Sequence, residues 1–543
     1  MQWAFYNSRS VTGFARCSWS SLRARCSMNL FLATSITLVQ VLAPLVLSAG
    51  SLSDRINEII KTSAADQAFW GIQVTDIHSG RILYEQHQDK LFVPASNGKL
   101  FSTALALAYL GSEYVHTTTV GSGVSIGEDG TLDGDLVLLG GGDPNLSSRS
   151  VPYNPKREFA VDRLAPLREL AQQVSLAGVK KIAGNVIGDD SRYVWQRQPS
   201  GWSVDDSVWG YGAPVSALSF NDSTVDVQVL PGHAARAYAR VAVRPDVGYF
   251  KLNNILRTAT TRMVPRGLNL DRPPGTRKLT LWGEISIHSR GRKLSIAVDD
   301  PALFAAQAFR QALNEAGLEV EGKAIARHSF GHQFSSLKRS STSPQNNYPT
   351  ELAAINSPSL AETIKIVNKT SQNLHAEMLL REVGLRQRGV GSYQAGLATL
   401  REFLSKKVGL RKGEFTLLDA SGLSRGNLVS PAATVKLLVH MWKSPGKEVF
   451  LSSLPISGED GTLDWRFSRT SARGKIRAKT GTLAHVTAIA GYVSTADQYN
   501  LAFSIMVNNY GVQASYIRNL VDKICVVLSE SKIEGDNDDN KQY

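Results

Sequence analysis

Cysteine is nearly missing from this chain. Of three in 543 residues, Cys17 and Cys26 fall within the first fifty, which leaves Cys525 alone in the remainder. One thiol builds neither a disulfide framework nor a cysteine metal site, and its setting in Ile524-Cys525-Val526-Val527 reads as core. No fixed-period repeat is present, which removes the repeat architectures. The run Gly140-Gly141-Gly142 lacks a following Gly-Lys-Ser/Thr, so it is not a phosphate loop. The net charge of +13 includes four arginines in the first fifty residues and is +9 without them. No interleaving of aromatic and basic side chains accompanies it. Basic residues dispersed in this way suit an anionic extracellular polymer or a membrane surface rather than nucleic acid.

What is present, 43% hydrophobic and 20% charged residues, describes a globular chain of more than one domain. Residues 1–50 read as a signal peptide. Arg9, Arg16, Arg23 and Arg25 precede a hydrophobic segment from Leu30 to Leu47, closed by the small residues Ser48-Ala49-Gly50. A retained anchor is the competing reading, because 18 residues approach spanning length; Thr34, Ser35, Thr37, Gln40 and Pro44 make it a poor one. Met28 offers a second start. Residues 533–543, acidic and polar, read as a disordered tail. Either export route places the chain outside the cytoplasm, in the periplasm or an equivalent space.

Between these ends the texture changes twice. Residues 51–115 carry an opening helix from Ser51 to Thr62, two short strands at Gly71–Ile77 and Arg81–Glu85, and a long apolar helix after Ser96 closed by Gly111. Residues 116–351 are β-rich, with strands at Lys181–Ile187, Thr224–Leu230, Arg240–Val243 and Lys278–Ile287 and an amphipathic helix at Ala302–Ala316. Ser335–Thr350 reads as a connector. Residues 352–532 return to helical periodicity (Leu360–Lys369, Gln372–Leu385, Tyr393–Val408), then two strands at Val486–Ser494 and Leu501–Asn508 and a last helix from Ser515 to Ser529. This describes one α/β domain in two pieces, with an insertion between them.

Serine three residues before lysine at a helix start puts hydroxyl and amine on one face, where a neutral amine can take the hydroxyl's proton. The pattern is weak alone, recurring at Ser96–Lys99, Ser335–Lys338, Ser444–Lys447 and Ser529–Lys532. Only Ser96 precedes a helix apolar nearly all round; by itself it also reads as an N-cap serine. Two further stretches complete an ordered set: Ser371-Gln372-Asn373 at a helix start, and Lys479-Thr480-Gly481-Thr482 before the terminal strand hairpin. Ser-x-x-Lys, then Ser-x-Asn, then Lys-Thr-Gly resembles the serine acyl-transfer motifs of penicillin-binding proteins and class A β-lactamases.

The resemblance extends further. Asp419-Ala420-Ser421-Gly422-Leu423-Ser424-Arg425-Gly426-Asn427, Gly458-Glu459-Asp460-Gly461-Thr462-Leu463 and Ala213-Pro214-Val215-Ser216-Ala217-Leu218-Ser219-Phe220-Asn221-Asp222 resemble signatures of the class C low-molecular-mass penicillin-binding proteins, the D-alanyl-D-alanine carboxypeptidase/endopeptidase family. That likeness implies an α/β (α+β) serine transpeptidase/β-lactamase-like domain, split in sequence, with β-rich accessory domains, one nested in the other, between the first and second motifs. It implies Ser96 as nucleophile and Lys99 as its base, made neutral by burial and by a second cation, Lys479. It implies Ser371 as proton donor to the leaving amine and Asn373 as orienter of Lys99 and the substrate amide. The N–H groups of Ser96 and Thr482 would form the oxyanion hole, and Lys479, Thr480 and Gly481 the seat of the substrate's terminal carboxylate. Asp143 and Arg425 would read the ammonium and carboxylate of a diaminopimelate side chain; taken alone they are an Asp-Pro turn and a surface arginine. His375 reads as structural, and Lys369, Arg473, Lys475 and Arg477 as local charge.

The implied substrates are peptidoglycan stem peptides ending in D-Ala-D-Ala and their cross-links, with β-lactams as covalent inhibitors and no metal or other cofactor. Peripheral membrane or cell-wall association is consistent with the charge. Two competing readings are a β-lactamase, which lacks here the Glu-x-x-x-Asn deacylation carboxylate, and a catalytically vestigial cell-wall scaffold.

Overall fold

A computed structural model describes residues 51–159, 162–262, 267–330, 348 and 350–533. The leader, most of the Ser335–Thr350 connector and the tail from Glu534 onward lie outside the described residues. Helix α1 (Leu52–Ile60) is started by Ser51, whose hydroxyl and backbone exchange bonds with Asp54 in a capping box. Strands β1 (Phe69–Asp76) and β2 (Ile82–Gln86) form the hairpin anticipated from His78-Ser79-Gly80. Helix α2 (Gly98–Leu110) follows a single 3-10 turn at Ala95–Asn97 and stops at Gly111, whose φ is 81°. Its residues from Gly98 to Leu107 are all buried, as an apolar circumference requires.

The later chain supplies α3 (Asn373–Arg388), β3 (Ile476–Leu483), β4 (Val486–Ser494), β5 (Asn500–Asn508) and α4 (Ala514–Glu530). These join the early strands in one antiparallel sheet ordered β2-β1-β5-β4-β3, with Ile72 opposite Ile505 and Lys479 opposite Ala490. Both faces are covered. Ile489, Val493 and Phe503 pack with α1 and α4, and Cys525 belongs to that core. Their neighbours Ala490, Tyr492 and Ala502 pack on the opposite face, in the core holding α2 and α3. A period of two with both faces buried explains why β4 and β5 are largely apolar rather than alternating.

A second five-stranded sheet, ordered Ala324–Ser329, Val186–Val194, Leu136–Leu139, Thr117–Ser122 and Thr350–Asn356, occupies the stretch after α2. Its last pair runs from Thr350↔Ser122 to Asn356↔Thr117, so the chain leaves and rejoins the main body at adjacent points. Helices Ala165–Leu176 and Pro301–Glu315 share one core with it. Smaller sheets are built around Thr224–Leu230 and Lys278–Ser286. Departures from the sequence reading include two in this stretch. The strand expected over Lys181–Ile187 is two, Lys181–Ile182 and Val186–Val194, broken at Gly184, where a Cβ would lie 2.4 Å from the Gly134 backbone. The helix Ala165–Leu176 was not anticipated, since its polar residues and the surrounding β texture hide its short apolar stripe. Among the described residues no helix is long and apolar enough to cross a membrane.

Ile505 is fully buried at the centre of the main sheet. Ile505→Ala is expected to cost about 2–5 kcal/mol, read as a lowered midpoint in thermal or urea unfolding; an unchanged midpoint would contradict this placement of the core.

Candidate active site

The site forms where α2, α3 and the edge strand β3 meet. Ser96 lies in the 3-10 turn that leads into α2, so the next turn brings Lys99 beneath it, with Lys99 Nζ 3.0 Å from Ser96 Oγ. Lys99 is fully buried, and its amine also donates to Asn373 Oδ1 at 2.6 Å and to the Ser421 carbonyl at 2.7 Å. Burial lowers the Lys99 amine from its ordinary value to about 7, against the opposing charges of Asp419 and Glu377. Burial is therefore what lowers it, and Lys479, the second cation assumed from sequence, is not among the causes. Lys479 is itself pushed well below the ordinary lysine range, first by burial and then by Lys99.

Lys-Thr-Gly-Thr precedes the β4–β5 hairpin, as expected, and lies inside a strand of its own, β3. Strand alternation puts Lys479 and Gly481 on the buried side and leaves Thr480 half-buried and Thr482 exposed. Lys479 Nζ donates to Ser371 Oγ at 2.9 Å and to the Thr480 carbonyl at 2.8 Å, and Thr480 Oγ1 donates to Thr462 Oγ1 at 2.8 Å.

Close backbone approach explains two glycines. A Cβ on Gly481 would sit 2.7 Å from the Pro94 carbonyl and 3.1 Å from the Ser96 nitrogen. Gly422, at φ 82°, would place one 1.8 Å from the Ala95 carbonyl. The turn that carries Ser96 is thus pressed between β3 and the 419–427 loop, with Ala95 itself in the left-handed region at φ 48°.

Ser371 follows a single π-type turn, Ile366–Thr370, that extends the helix Leu360–Lys365. It is held at φ 63° and ψ 38°, an uncommon conformation for a residue other than glycine. This turn delivers Ser371 to Lys479 while Asn373, the first residue of α3, reaches Lys99. Asn373 Nδ2 donates in turn to the Tyr211 carbonyl at 2.8 Å.

Ser96, Lys99, Ser371, Asn373, Lys479, Thr480 and Gly481 are therefore brought together, with Thr482 on the same strand. Arg425 is exposed and donates to the Ala484 carbonyl at 2.8 Å, just past the end of β3. Asp143 is buried, accepts from the Asn145 N–H at 2.7 Å and takes no part in the hydrogen bonds among those residues. Burial raises its carboxyl to about 7. His375 is buried within hydrogen-bonding reach of Asp222 rather than Lys99. Lys369 is paired to Asp460 at 2.6 Å and donates to the Leu454 carbonyl.

Two carboxylates beneath the site were missed from sequence. Glu377 accepts the Ala420 and Ser421 N–H groups, and Asp419 accepts those of Gly422 and Ser424, so together they shape the loop whose Ser421 carbonyl meets Lys99. Burial, with the nearby Asp419 charge, raises Glu377 to about 8. Glu377 lies one helical turn after Asn373, a spacing that could have flagged it. Thr462, inside a quoted signature, carried no such sign.

Known proteins similar in sequence and fold point to one family. The model of the D-Ala-D-Ala carboxypeptidase 3 (S13) family matches residues 52–531. A D-alanyl-D-alanine carboxypeptidase of Actinomadura sp. is 32% identical over 490 residues, covering 88% of this chain and 84% of that protein. The D-alanyl-D-alanine carboxypeptidase DacB of Haemophilus influenzae is 25% identical over 460 residues, 81% of this chain and 85% of its own. The fold matches the crystal structure of penicillin binding protein 4 from the same organism with a TM-score of 0.72 at 22% identity, over 87% of this chain and 97% of that one. The chain belongs to the D-Ala-D-Ala carboxypeptidase 3 family of peptidases.

Proposed function

We propose that this protein is a serine-type D-Ala-D-Ala carboxypeptidase that trims peptidoglycan stem peptides, and cleaves their cross-links, through an acyl-enzyme. The observation that carries this reading is a fully buried amine, Lys99, bonded at once to Ser96 Oγ and Asn373 Oδ1. With Lys99 neutral, its lone pair takes the Ser96 proton as Oγ attacks the carbonyl of the penultimate D-Ala. The Ser96 and Thr482 N–H groups stabilise the resulting oxyanion; such donors are each worth about 3 kcal/mol of barrier. Ser371, bonded to Lys479, passes a proton to the departing D-Ala amine and is reprotonated with the proton that Lys99 took, which leaves Lys99 neutral again. Lys479 and Thr480 hold the terminal carboxylate, whose charge beside Lys479 favours the ammonium form that burial disfavours. Water then attacks the acyl carbonyl as Lys99 takes its proton, and Lys99 returns that proton to Ser96 Oγ as the acyl group leaves.

Arg425, beside the open end of β3, pairs with the carboxylate of the stem's diaminopimelate in this reading, and Asp143 with its ammonium. The chain works outside the cytoplasm, after export by residues 1–50, and its basic surface favours the anionic cell wall or membrane face. Residues 116–351 act as accessory domains inserted into a transpeptidase-like domain made of 51–115 and 352–532. β-Lactams acylate Ser96 as substrate mimics; the beta-lactam complex solved for the Haemophilus penicillin binding protein 4 is in keeping with this.

Incubation with a fluorescent penicillin is expected to label the wild type covalently and leave Ser96→Ala unlabelled; equal labelling would dismiss the assignment. Digested sacculi should yield stem peptides shortened by one D-Ala and split dimers, whereas rapid penicillin turnover without D-Ala release would indicate a β-lactamase. The base is active only when deprotonated, so with Lys99 at about 7 the acylation rate should rise with pH through about 7 and level off above it. A rate flat between pH 6 and 8 would contradict that assignment. In Gly481→Ala the new methyl must displace backbone at Pro94 and Ser96, so acylation is expected to fall at least ~10-fold, with a loss of about 1–3 kcal/mol of stability read in thermal unfolding.

A further inference from the structure

The second motif is gripped from outside the elements that carry it. Asn221, Asp222 and Ser223 form a turn with three successive residues in the left-handed region, at φ 50°, 56° and 54°. Such a turn persists only where its surroundings over-determine it. Here the Asn221 N–H donates to the Leu146 carbonyl, Asn221 Nδ2 to the Thr224 carbonyl and Ser223 Oγ to Ser219 Oγ. The turn aims the Asp222 carboxylate into the protein, where it is buried and receives three side chains. Arg149 pairs with Oδ2, Gln372 Nε2 donates to the same oxygen at 3.0 Å, and His375 Nε2 lies 3.0 Å from Oδ1. Burial pushes the Asp222 carboxyl up, but the Arg149 charge and the His375 bond outweigh it and hold the group ionised. Burial keeps His375 neutral, so its Nε2 carries the proton that faces Asp222.

Gln372 and His375 flank Asn373. Gln372 lies between Ser371 and Asn373, and its Oε1 also caps α3 by accepting the Leu374 N–H at 3.2 Å. One carboxylate on the β-rich stretch therefore restrains both sides of the residue that reaches Lys99, and the residue next to Ser371, whose own left-handed backbone needs such restraint. Asp222 bonds to none of Ser96, Lys99, Ser371, Asn373 or Lys479. We propose that Asp222 is a positioning residue, holding Ser371 and Asn373 against the two lysines through Gln372 and His375, and that the stretch carrying it is a working part of the site. This rests on the reading of Ser96 as nucleophile.

The test compares the full chain with Gln372→Glu and Gln372→Met. The introduced carboxylate of Gln372→Glu still caps the Leu374 N–H at a helix N-terminus, where negative charge is favourable, so the melting temperature should stay within a few degrees of wild type. It also repels Asp222. The charged groups around that carboxylate are Arg149, Arg163 and Glu158, with neutral His375 the remaining titratable one. Acylation of Ser96 by a fluorescent penicillin is expected to slow at least ~10-fold relative to wild type at pH 8. At pH 5.5 the deficit should narrow, because the introduced carboxyl, protonated beside Asp222, donates to it again. Gln372→Met, with no donor and no charge, should be slowed about equally at both pH values. Wild-type rates in both variants would overturn the proposal, as would a Gln372→Glu deficit that does not change with pH. If Gln372→Glu does not fold, the Gln372→Met rate decides alone: slowed supports, unchanged overturns. Failure of the nucleophile reading is separately visible, as absence of labelling in the wild type itself.

Discussion

A primary amine kept out of water is the constraint on which this structure depends. An isolated buried ammonium is costly, and the protein responds in two ways at Lys99: it lowers the amine to about 7, and it gives the nitrogen three oxygen partners. Each partner comes from a different segment. Ser96 comes from the turn before α2, Asn373 from the start of α3, and the Ser421 carbonyl from a loop shaped by Glu377 and Asp419. Loss of any one leaves a polar group in the core without its partner. The same constraint that disfavours the charged amine makes it a base in the proposed reaction, so that burial would serve stability and chemistry together.

Delivering those partners requires tight geometry elsewhere. The edge strand β3 comes so near Pro94 and Ser96 that only glycine fits at 481, and the 419–427 loop comes so near Ala95 that only glycine fits at 422. Left-handed backbone at Ala95 and Ser371 marks the places where the chain is bent to bring hydroxyls to the lysines. Strain of this kind persists only where neighbours over-determine it. At Ser371 those neighbours include Lys479 and, through Gln372, Asp222 on the β-rich stretch.

The long middle of the chain is in this light more than an appendage. Its second sheet joins the main body where strand Thr350–Asn356 pairs with Thr117–Ser122. Buried polar contacts also cross to α3: Arg192 and Tyr193 to Glu382, Arg381 to the Val194 carbonyl, and Tyr211 to Asn373. Helix α3 is thus held on one side by the apolar core it shares with α2 and on the other by the middle stretch.

Much of this was legible in the sequence, for reasons tied to particular residues. The apolar circumference of Leu100–Leu107 announced a buried helix, and the order of Ser96, Ser371 and Lys479 announced the site, because side-chain chemistry and periodicity are local properties. Cys525, flanked by isoleucine and valine, was readable as core for the same reason. The strand identity of Lys479–Thr482, the split of Lys181–Ile187 at Gly184 and the helix Ala165–Leu176 were not readable, since each is decided by what packs alongside. Glu377 and Asp222 were hidden further still. Each is one acidic residue among many until the fold buries it, and only burial beside Ser421 or beside Gln372 and His375 gives it a task. By itself the sequence determined which groups are available and in what order. Tertiary structure alone decided which were taken out of water and within 3 Å of one another, and in a buried site those two properties set the charge on Lys99 and the position of Ser371.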